Sequence, residues 1–336
     1  MSLKRILLTG ASGFIGSTLA ERLDESGHDV YGLYRYVSDG RYDYYQLERK
    51  LVADLRDEVA IDDIVKRVEP DVVIHLGAIT PVSYSFIHPV EVTEVDYIGT
   101  VNIANAALEY GVEQFIFAST SEVYGTQTQL PTPEDVRLHP DSPYAVAKAA
   151  AEEYLRQLDT VHEFNYTIIR PFNTFGRANV RKKYFVVERA ITQALETGKI
   201  NLYNSKPKRV FMFRDDHVDG YVKAIGNKKA YKQIINLSTD ECYSIAEMTE
   251  VVADVIEEKL GKRPSISFDE RPDRPYEIPV LWGTNDKAKK LLGWEPKYDL
   301  RSGIKKAVEE WMKVLGEYRF WGTGGSDNRS RINKEG

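Results

Sequence analysis

The sequence predicts an α/β protein with a doubly wound parallel sheet and a smaller, discontinuous α/β unit on its carboxyl-terminal side. Through the first half, short runs rich in β-branched residues alternate with amphipathic stretches, which is the pattern of right-handed β-α-β units. After Gly176 the segments become mixed and charged, and Pro207, Pro264, Pro272 and Pro279 interrupt them. We therefore expect a domain boundary near Gly176 and a ligand-binding cleft above the carboxyl ends of the strands.

Each predicted element follows from its local pattern. Apolar runs predict strands, amphipathic stretches predict helices, and the helices end at or before Gly27, Pro70 and Gly111. The predicted strands are residues 5–8, 29–33, 50–53, 71–75, 114–118 and 167–170, and the predicted helices are residues 17–26, 59–68 and 93–110. A later apolar run, residues 234–238, is expected to return to the main sheet.

Composition narrows the class of protein. The 336 residues are 42% hydrophobic and 29% charged, as in an ordinary globular protein, and the formal charge of -6 argues against a nucleic-acid partner. Cys242 is the only cysteine, so an internal disulfide is excluded and a reducing, cytoplasmic location is expected. No run approaches the roughly 18 apolar residues of a membrane span. We expect no membrane partner and no metal site.

A glycine triad opens the first predicted helix. The run Thr-Gly-Ala-Ser-Gly-Phe-Ile-Gly at residues 9–16 lies directly between strand and helix. Gly10 permits a tight turn, Gly13 lets the backbone approach a diphosphate, and Gly16 lets the helix pack against the strand. The helix amino terminus then presents free N–H groups to the anion. This predicts a Rossmann-type dinucleotide-binding domain whose cofactor contacts include Phe14 and Ile15 as well.

The dinucleotide site suggests a domain division. Residues 1–175 are expected to form the NAD(P)-binding Rossmann domain, with residues 211–242 returning to it. Residues 176–210 and 243–321 are expected to form the substrate-binding domain. Residues 322–336, rich in Gly, Ser, Asn and charge, are expected to be a disordered tail.

The end of the second strand predicts which dinucleotide binds. An acidic residue there would bind the ribose hydroxyls of NAD, whereas an arginine accommodates the 2′-phosphate of NADP. The segment Val-Tyr-Gly-Leu-Tyr-Arg at residues 30–35 has no acid at its end and has Arg35 instead. We therefore predict NADP, with NAD as the alternative. Arg35 as a solvated surface charge is the competing interpretation.

A phenol and an ammonium lie on one face of a predicted helix. In Tyr-Ala-Val-Ala-Lys at residues 144–148, Tyr144 and Lys148 are four residues apart, and Pro143 suits the helix start. Hydride transfer from an alcohol requires that the hydroxyl proton also be removed, and a phenol with a pKa of about 10 is a poor base at neutral pH. We expect Lys148 and a cationic nicotinamide to lower the pKa of Tyr144. Lys148 can also hold the nicotinamide ribose.

A second polar motif follows the strand at residues 114–118. In Ser-Thr-Ser-Glu-Val-Tyr-Gly at residues 119–125, Thr120 can hydrogen-bond the hydroxyl that Tyr144 deprotonates, and Glu122 places a carboxylate beside the reacting group. The alternative interpretation is a polar turn with a surface charge.

Taken together, these motifs resemble the extended short-chain dehydrogenase/reductases that act on nucleotide sugars. The resemblance covers residue 6 to about residue 311 and includes Arg-Pro-Phe-Asn at 170–173 and Leu-Gly-Trp-Glu-Pro at 292–296. It implies contacts with the cofactor from Asp54, Leu55, Leu76 and Ala78, and contacts with the nucleotide diphosphate from Asn173, Arg209 and Arg274. It also implies a homodimer formed by two helices of each subunit.

The resemblance departs from the family pattern at one place. The family has Arg-Asp-Phe or Arg-Asp-Trp where this chain has Arg-Val-Phe at residues 209–211, and Arg214 with Asp215 lies close by. Which arginine faces the ligand is therefore open.

The family oxidises the sugar at C4 and then follows one of three routes: epimerisation, loss of water, or loss of CO2. Thr-Ser-Glu at residues 120–122 resembles the GDP-mannose 4,6-dehydratases, which implies Glu122 as the base at C5 and Ser121, with a water, in place of the acid. A 4-epimerase is the main alternative. A UDP-glucuronate decarboxylase and a non-catalytic NADP sensor are less favoured.

Overall fold

The computed structural model describes residues 2–36, 45, 47–177, 185–270 and 276–315. The strands in these residues are β1 (Arg5–Thr9), β2 (Asp29–Tyr34), β3 (Arg49–Val52), β4 (Val72–His75), β5 (Gln114–Ala118), β6 (Tyr166–Pro171), β7 (Thr174–Phe175), β8 (Lys199–Tyr203), β9 (Lys208–Arg209), β10 (Met212–Phe213), β11 (Gln233–Leu237), β12 (Tyr243–Ser244), β13 (Ser265–Asp269) and β14 (Val280–Leu281). The helices are α1 (Phe14–Glu25), α2 (Glu58–Val68), α3 (Val82–Ile87), α4 (Pro89–Thr93), α5 (Gly99–Glu109), α6 (Pro143–His162), α7 (Val186–Thr197), α8 (Arg214–Ala224), α9 (Ile245–Leu260), α10 (Asp286–Leu292) and α11 (Leu300–Val314).

The main sheet is parallel throughout, in the order β11-β6-β5-β4-β1-β2-β3. Strand β1 shows why both sheet faces are covered: Ile6 and Leu8 pack in one hydrophobic core and Leu7 in the other. Helices on both sides of a parallel sheet confirm the predicted Rossmann-type α/β fold. Because all strands run the same way, their carboxyl ends meet at one edge.

A third hydrophobic core lies outside the main sheet, in what we call the second region of the molecule. Helices α7, α9 and α11 pack together around Trp311, Phe213 and Phe175. Short sheets join this region, with β13 parallel to β8, and with β9 between β12 and β14. Strand β11 lies beside β6 at the edge of the main sheet.

The helix predicted for residues 93–110 is interrupted. The structure places a turn of π-helix, Glu94–Ile98, between α4 and α5. A π turn adds a residue to the ordinary helical repeat and is frequently found at functional sites. Here it contains Asp96, whose carboxylate accepts a hydrogen bond from the Ile79 N–H at 2.8 Å.

Two expectations concern the boundaries of the molecule. In the described residues, no helix is both long and apolar enough to cross a membrane. The predicted disordered tail, residues 322–336, lies outside the described residues.

Candidate active site

The glycine loop is packed backbone against backbone. Gly10 has a φ of 69°, and a Cβ added there would lie 2.9 Å from the Gly77 nitrogen. A Cβ on Gly16 would lie 2.0 Å from the Gly10 carbonyl oxygen. Gly13 precedes α1 as its N-cap and contributes no side-chain hydrogen bond to the first turn. The first N–H groups of α1 are therefore oriented toward the sheet edge as an anion site, which suits a dinucleotide diphosphate.

Apolar residues lie beside this loop. Phe14 and Ile15, in the first turn of α1, are half-buried, as are Leu76 and Ala78 after β4. Leu55 packs under the loop after β4, since its Cδ1 is 2.8 Å from where a Gly77 Cβ would be. These predicted cofactor residues therefore come together at one end of the sheet.

Arg35 and Asp54 meet in a charged cluster at the ends of β2 and β3. The Asp54 carboxylate accepts hydrogen bonds from Arg56 at 2.9 and 2.7 Å, and the Arg35 Nε lies 3.4 Å from it. The hydrogen bonds from Arg56, reinforced by the charge of Arg35, lower the pKa of Asp54 to about 2. Arg35 also lies 4.0 Å from Glu91 and is 56% exposed. A phosphate at this rim would compete with two carboxylates for Arg35.

Tyr144 and Thr120 lie beside each other at the carboxyl end of β5. Tyr144 lies in the first turn of α6, where the Ser142 side chain accepts a hydrogen bond from the Ala145 N–H at 3.1 Å. Thr120 accepts a bond from the Glu122 N–H at 3.2 Å, and its side chain acts on the Tyr144 phenol in the direction that lowers the pKa of the phenol. A hydroxyl pair held in this way can bind one alcohol group between them.

Lys148 is buried and binds the end of β5. Its Nζ donates to the Ala118 carbonyl oxygen at 2.9 Å and lies 4.7 Å from the centre of the Phe117 ring. Burial lowers the pKa of Lys148, while Asp96 and Glu152 act in the opposite direction.

In the protein alone, the surroundings of Tyr144 raise its pKa. Burial is the largest cause, followed by the charge of Asp96; the charge of Glu122 adds to it, and the hydrogen bond from Thr120 opposes it. The lowering of this pKa expected from the sequence requires a cationic nicotinamide together with Lys148, and it stays a prediction.

Ser121 and Glu122 lie on a single 3₁₀ turn, Ser121–Tyr124, that begins directly after Thr120. Ser121 is buried and Glu122 is half-buried. The charge of Glu122 acts on Tyr144, so the carboxylate and the hydroxyls of this motif belong to the same site.

Two of the residues predicted to contact the nucleotide diphosphate have a described position, in or beside the second region. Asn173 follows β6, and its buried Oδ1 has no hydrogen-bond partner among the described residues. Arg209 is buried on β9, where it pairs with Glu277 and donates to the Lys208 carbonyl at 2.8 Å. Arg274 lies outside the described residues.

The sequence left open whether Arg209 or Arg214 faces the ligand, and the ion pairs of Arg214 bear on that choice. Its guanidinium lies 3.1 Å from Asp215 and 3.1 Å from Glu310, on α11. Asp215 is also bound by Lys306 at 2.6 Å. Arg214 therefore takes part in an ion-pair network that joins α8 to α11.

Two buried polar groups at this site were missed by the sequence analysis. Asp96 is fully buried, and its charge favours the protonated forms of both Tyr144 and Lys148. Its position on the buried face of the predicted helix was the available signal.

His75 is the other group, at the end of β4. Its Nε2 lies 3.1 Å from the Thr100 hydroxyl, which donates to the Asp96 carbonyl, so Nε2 is the donor in that bond. Its Nδ1 then accepts from Thr9 at 2.7 Å. Burial lowers the pKa of His75 to about 3, consistent with a neutral ring. The ring thus ties the glycine loop to α5.

A buried ion pair stabilises the polar motif at residues 119–125. Arg170, on β6, pairs with Glu152 of α6, and Glu152 also accepts a hydrogen bond from Ser119. Arg170 further donates to the Tyr124 hydroxyl at 3.0 Å. This network fixes the position of residues 119–124 relative to α6.

Comparisons with known sequences agree on one family. The GDP-mannose 4,6 dehydratase family model matches residues 7–307. The UDP-glucose 4-epimerase of Mycolicibacterium smegmatis is 32% identical, over 91% of this chain and 97% of its own length. The dTDP-D-glucose 4,6-dehydratase of Mus musculus is 29% identical, over 92% of this chain and 89% of its own length.

Comparison with solved structures indicates the same family. The UDP-glucose 4-epimerase of Thermotoga maritima with UDP-glucose has a TM-score of 0.81 at 27% identity, over 92% of this chain and 99% of that one. The UDP-glucose 4-epimerase of Thermus thermophilus in complex with NAD has a TM-score of 0.80 at 26% identity, over 91% of this chain and 98% of that one. The chain therefore belongs to the NAD-dependent nucleotide-sugar epimerase/dehydratase family of enzymes, a branch of the extended short-chain dehydrogenase/reductases.

Proposed function

We propose that the chain is an NADP-dependent nucleotide-sugar 4,6-dehydratase acting on a GDP-mannose-like substrate. The observation that carries this proposal is Glu122, a half-buried carboxylate that follows Thr120 and whose charge acts on Tyr144. Removal of water needs a base at C5 in addition to the base at C4. Glu122 supplies this second base, and Tyr144 on α6 is the first.

Each residue of the motif has a separate task. Tyr144 takes the proton of the C4 hydroxyl, and Thr120 hydrogen-bonds that oxygen and holds it in place. NADP⁺ bound at the glycine loop would supply the hydride acceptor for C4 and a positive charge that favours the phenolate. Glu122 removes the C5 proton, which the new ketone has made acidic. Ser121, with a water, protonates the departing C6 hydroxyl, which leaves as water. Glu122 then returns its proton to C5 while the hydride taken from C4 would return to C6, which gives the 4-keto-6-deoxy sugar and the oxidised cofactor.

The nucleotide diphosphate is proposed to bind between the two regions. Asn173 offers a buried amide beside β7, and Arg209 offers a buried guanidinium on β9. A planar guanidinium is suited to two-point contact with phosphate. Arg274 is proposed as a further contact on the resemblance alone.

The cofactor preference rests on Arg35. It is the basic group at the end of β2, where the adenosine ribose of a dinucleotide lies in Rossmann-type sites. Arg35 is also engaged with Asp54 and Glu91, which makes the preference for NADP over NAD open to a direct affinity comparison.

A 4-epimerase is the second candidate. The supporting observation is that the curated relative from Mycolicibacterium smegmatis is a UDP-glucose 4-epimerase. An epimerase would use Thr120 and Tyr144 in the same way and would leave Glu122 to position the sugar. A UDP-glucuronate decarboxylase and a non-catalytic sensor have no such specific observation.

We also propose a homodimer and the domain division given above. Val146 on α6 is 52% exposed, and Ile98, between α4 and α5, is 41% exposed. Helix α4 and the π turn pack beside α6, so these apolar groups belong to neighbouring elements. Burying such a surface against a second copy would be favourable. Sedimentation analysis of wild type and Val146→Glu tests this.

The test of the function is product identity. Wild-type protein with NADP is incubated with GDP-mannose, dTDP-glucose, UDP-glucose or UDP-N-acetylglucosamine, and the products are analysed by mass spectrometry and NMR. Loss of one water with a 4-keto-6-deoxy product supports the dehydratase. An unchanged mass with inverted C4 would instead establish the epimerase.

A matched variant assigns the base. Glu122→Gln keeps the shape but removes the base, so water loss should fall by about 10²–10⁴-fold while exchange of hydride with the cofactor persists. Water loss at the wild-type rate would contradict the role of Glu122. Asp135→Asn is the control. It also replaces a carboxylate by an amide, but in a cavity that Asp135 lines with Arg170 and Lys232 and that Glu122 does not line.

A further inference from the structure

We infer that Asp96 is a positioning residue of this site that sets the charge of the Tyr144 and Lys148 pair. The inference rests on the function proposed above, since it concerns the same proton transfer. Asp96 is fully buried, and one of its carboxylate oxygens accepts from the Ile79 N–H at 2.8 Å. The other, Oδ2, is buried and has no hydrogen-bond partner among the described residues.

The π turn explains how a carboxylate comes to lie there. Residues Glu94–Ile98 and helix α4 pack against α6, the helix that carries Tyr144 and Lys148. The Asp96 backbone carbonyl accepts from Thr100, which also bonds His75, so the turn is fixed from the side of β4. A buried carboxylate with a free oxygen is costly, and such groups are found where a function requires them.

The charges around Asp96 come from several elements. Burial raises the pKa of Asp96, and the charge of Lys148 on α6 acts against this rise. The resulting pKa is about 6. His75 on β4 is neutral and Ile79 contributes only its N–H. Two other carboxylates act on the pair: Glu122 on Tyr144, and Glu152 on Lys148.

The consequences for the pair oppose each other. An ionised Asp96 favours the ammonium form of Lys148, which burial alone would disfavour. The same charge disfavours the phenolate of Tyr144. Asp96 therefore keeps a buried lysine charged and, by the same charge, weakens the tendency of Tyr144 to lose its proton.

The functional test uses Asp96→Asn. The amide can still accept from Ile79 but carries no charge, so the limb of the kcat/KM profile that reports Tyr144 deprotonation should move to lower pH. At a fixed pH on that limb, the phenolate fraction should rise roughly tenfold, as expected for the loss of one neighbouring charge. A role in structure alone would lower activity at every pH without moving the limb. An unmoved limb overturns the inference.

Asp216→Asn is the matched control. Asp216 is equally buried and also accepts backbone hydrogen bonds, from Lys297 and Tyr298, but it does not act on Tyr144. Its pH profile should stay in place. Asp96→Ser provides a second neutral variant if Asp96→Asn does not fold, as judged by circular dichroism.

A second measurement needs no sugar. In protein labelled with ¹³C-aspartate, the Asp96 signal is assigned by its loss in Asp96→Asn and titrated against pH. Because the coupling of two charges is reciprocal, Lys148→Met should move the Asp96 titration to higher pH. No movement overturns the inference, even if the protein turns over no sugar. Movement without any turnover would leave the inference standing and refute the proposed function.

Discussion

The charged side chains nearest Tyr144 and the two arginines of the second region are held in different ways. At the carboxyl ends of the main sheet, Lys148 is held by a neutral carbonyl, and Asp96 keeps one oxygen without a partner among the described residues. In the second region, Arg209 pairs with Glu277, and Arg214 pairs with Asp215 and Glu310. A direct ion pair fixes the charge of both partners, whereas a buried group that lacks a direct ion pair has a pKa that its surroundings can shift. The first arrangement suits proton transfer, and the second suits static binding of an anion.

The largest expected effect is at the sheet edge, with Tyr144→Phe. Losing the phenol removes the group that takes the C4 proton, so turnover should fall by about 10²–10⁴-fold. NADP affinity should stay close to that of wild type, because Thr120 and the glycine loop are untouched. Steady-state kinetics and a fluorescence titration with NADP measure the two quantities. Retained turnover would remove Tyr144 from the mechanism.

The same contrast explains what could be predicted from the sequence. The glycine loop, Thr120 and Tyr144 were identified because each follows a strand or opens a helix, so local pattern and chain order fix their place. Asp96 and His75 were missed because their importance depends on partners from other elements. The raised pKa of Tyr144 in the protein alone could not be read from its own helix, since burial and two carboxylates, Asp96 of the π turn and Glu122, cause it.

Residues of the second region were identified only through the family resemblance. Arg209 and Glu277 are 68 residues apart, and Arg214 and Glu310 are 96 apart. Local spacing cannot show which of two nearby arginines has a distant carboxylate as its partner. The structure distinguishes them because β9 and α8 carry them into different surroundings.

An intermediate effect is expected in the second region, with Arg209→Gln. If Arg209 binds the diphosphate, the loss of a charge-assisted contact of about 1.5–3 kcal/mol should raise the KM for the nucleotide sugar by roughly 10–100-fold. The kcat should change far less, since Arg209 lies away from the proton-transfer residues. Glu277 is partly exposed and can be solvated once its partner is gone.

Arg214→Gln is the control for this prediction. It removes the same charge five residues later but breaks the network between α8 and α11. Its Tm should fall, and its KM should stay near the wild-type value. Equal increases in KM for both variants would mean that the two arginines are not distinguished by their partners.

The smallest expected effect is at the rim of the sheet edge, with Arg35→Ala. Arg35 is more exposed than the other site cations, so water screens its interaction with a 2′-phosphate. A contact of up to about 1 kcal/mol corresponds to a roughly fivefold rise in the Kd for NADP, with the Kd for NAD unchanged. Isothermal titration with each dinucleotide measures this. Arg67→Ala is the control, because Arg67 forms an exposed pair with Asp63 at the far end of α2. If Arg35→Ala changes both affinities equally, Arg35 is an ordinary surface charge, and the contrast between movable and fixed charges does not extend to the choice of cofactor.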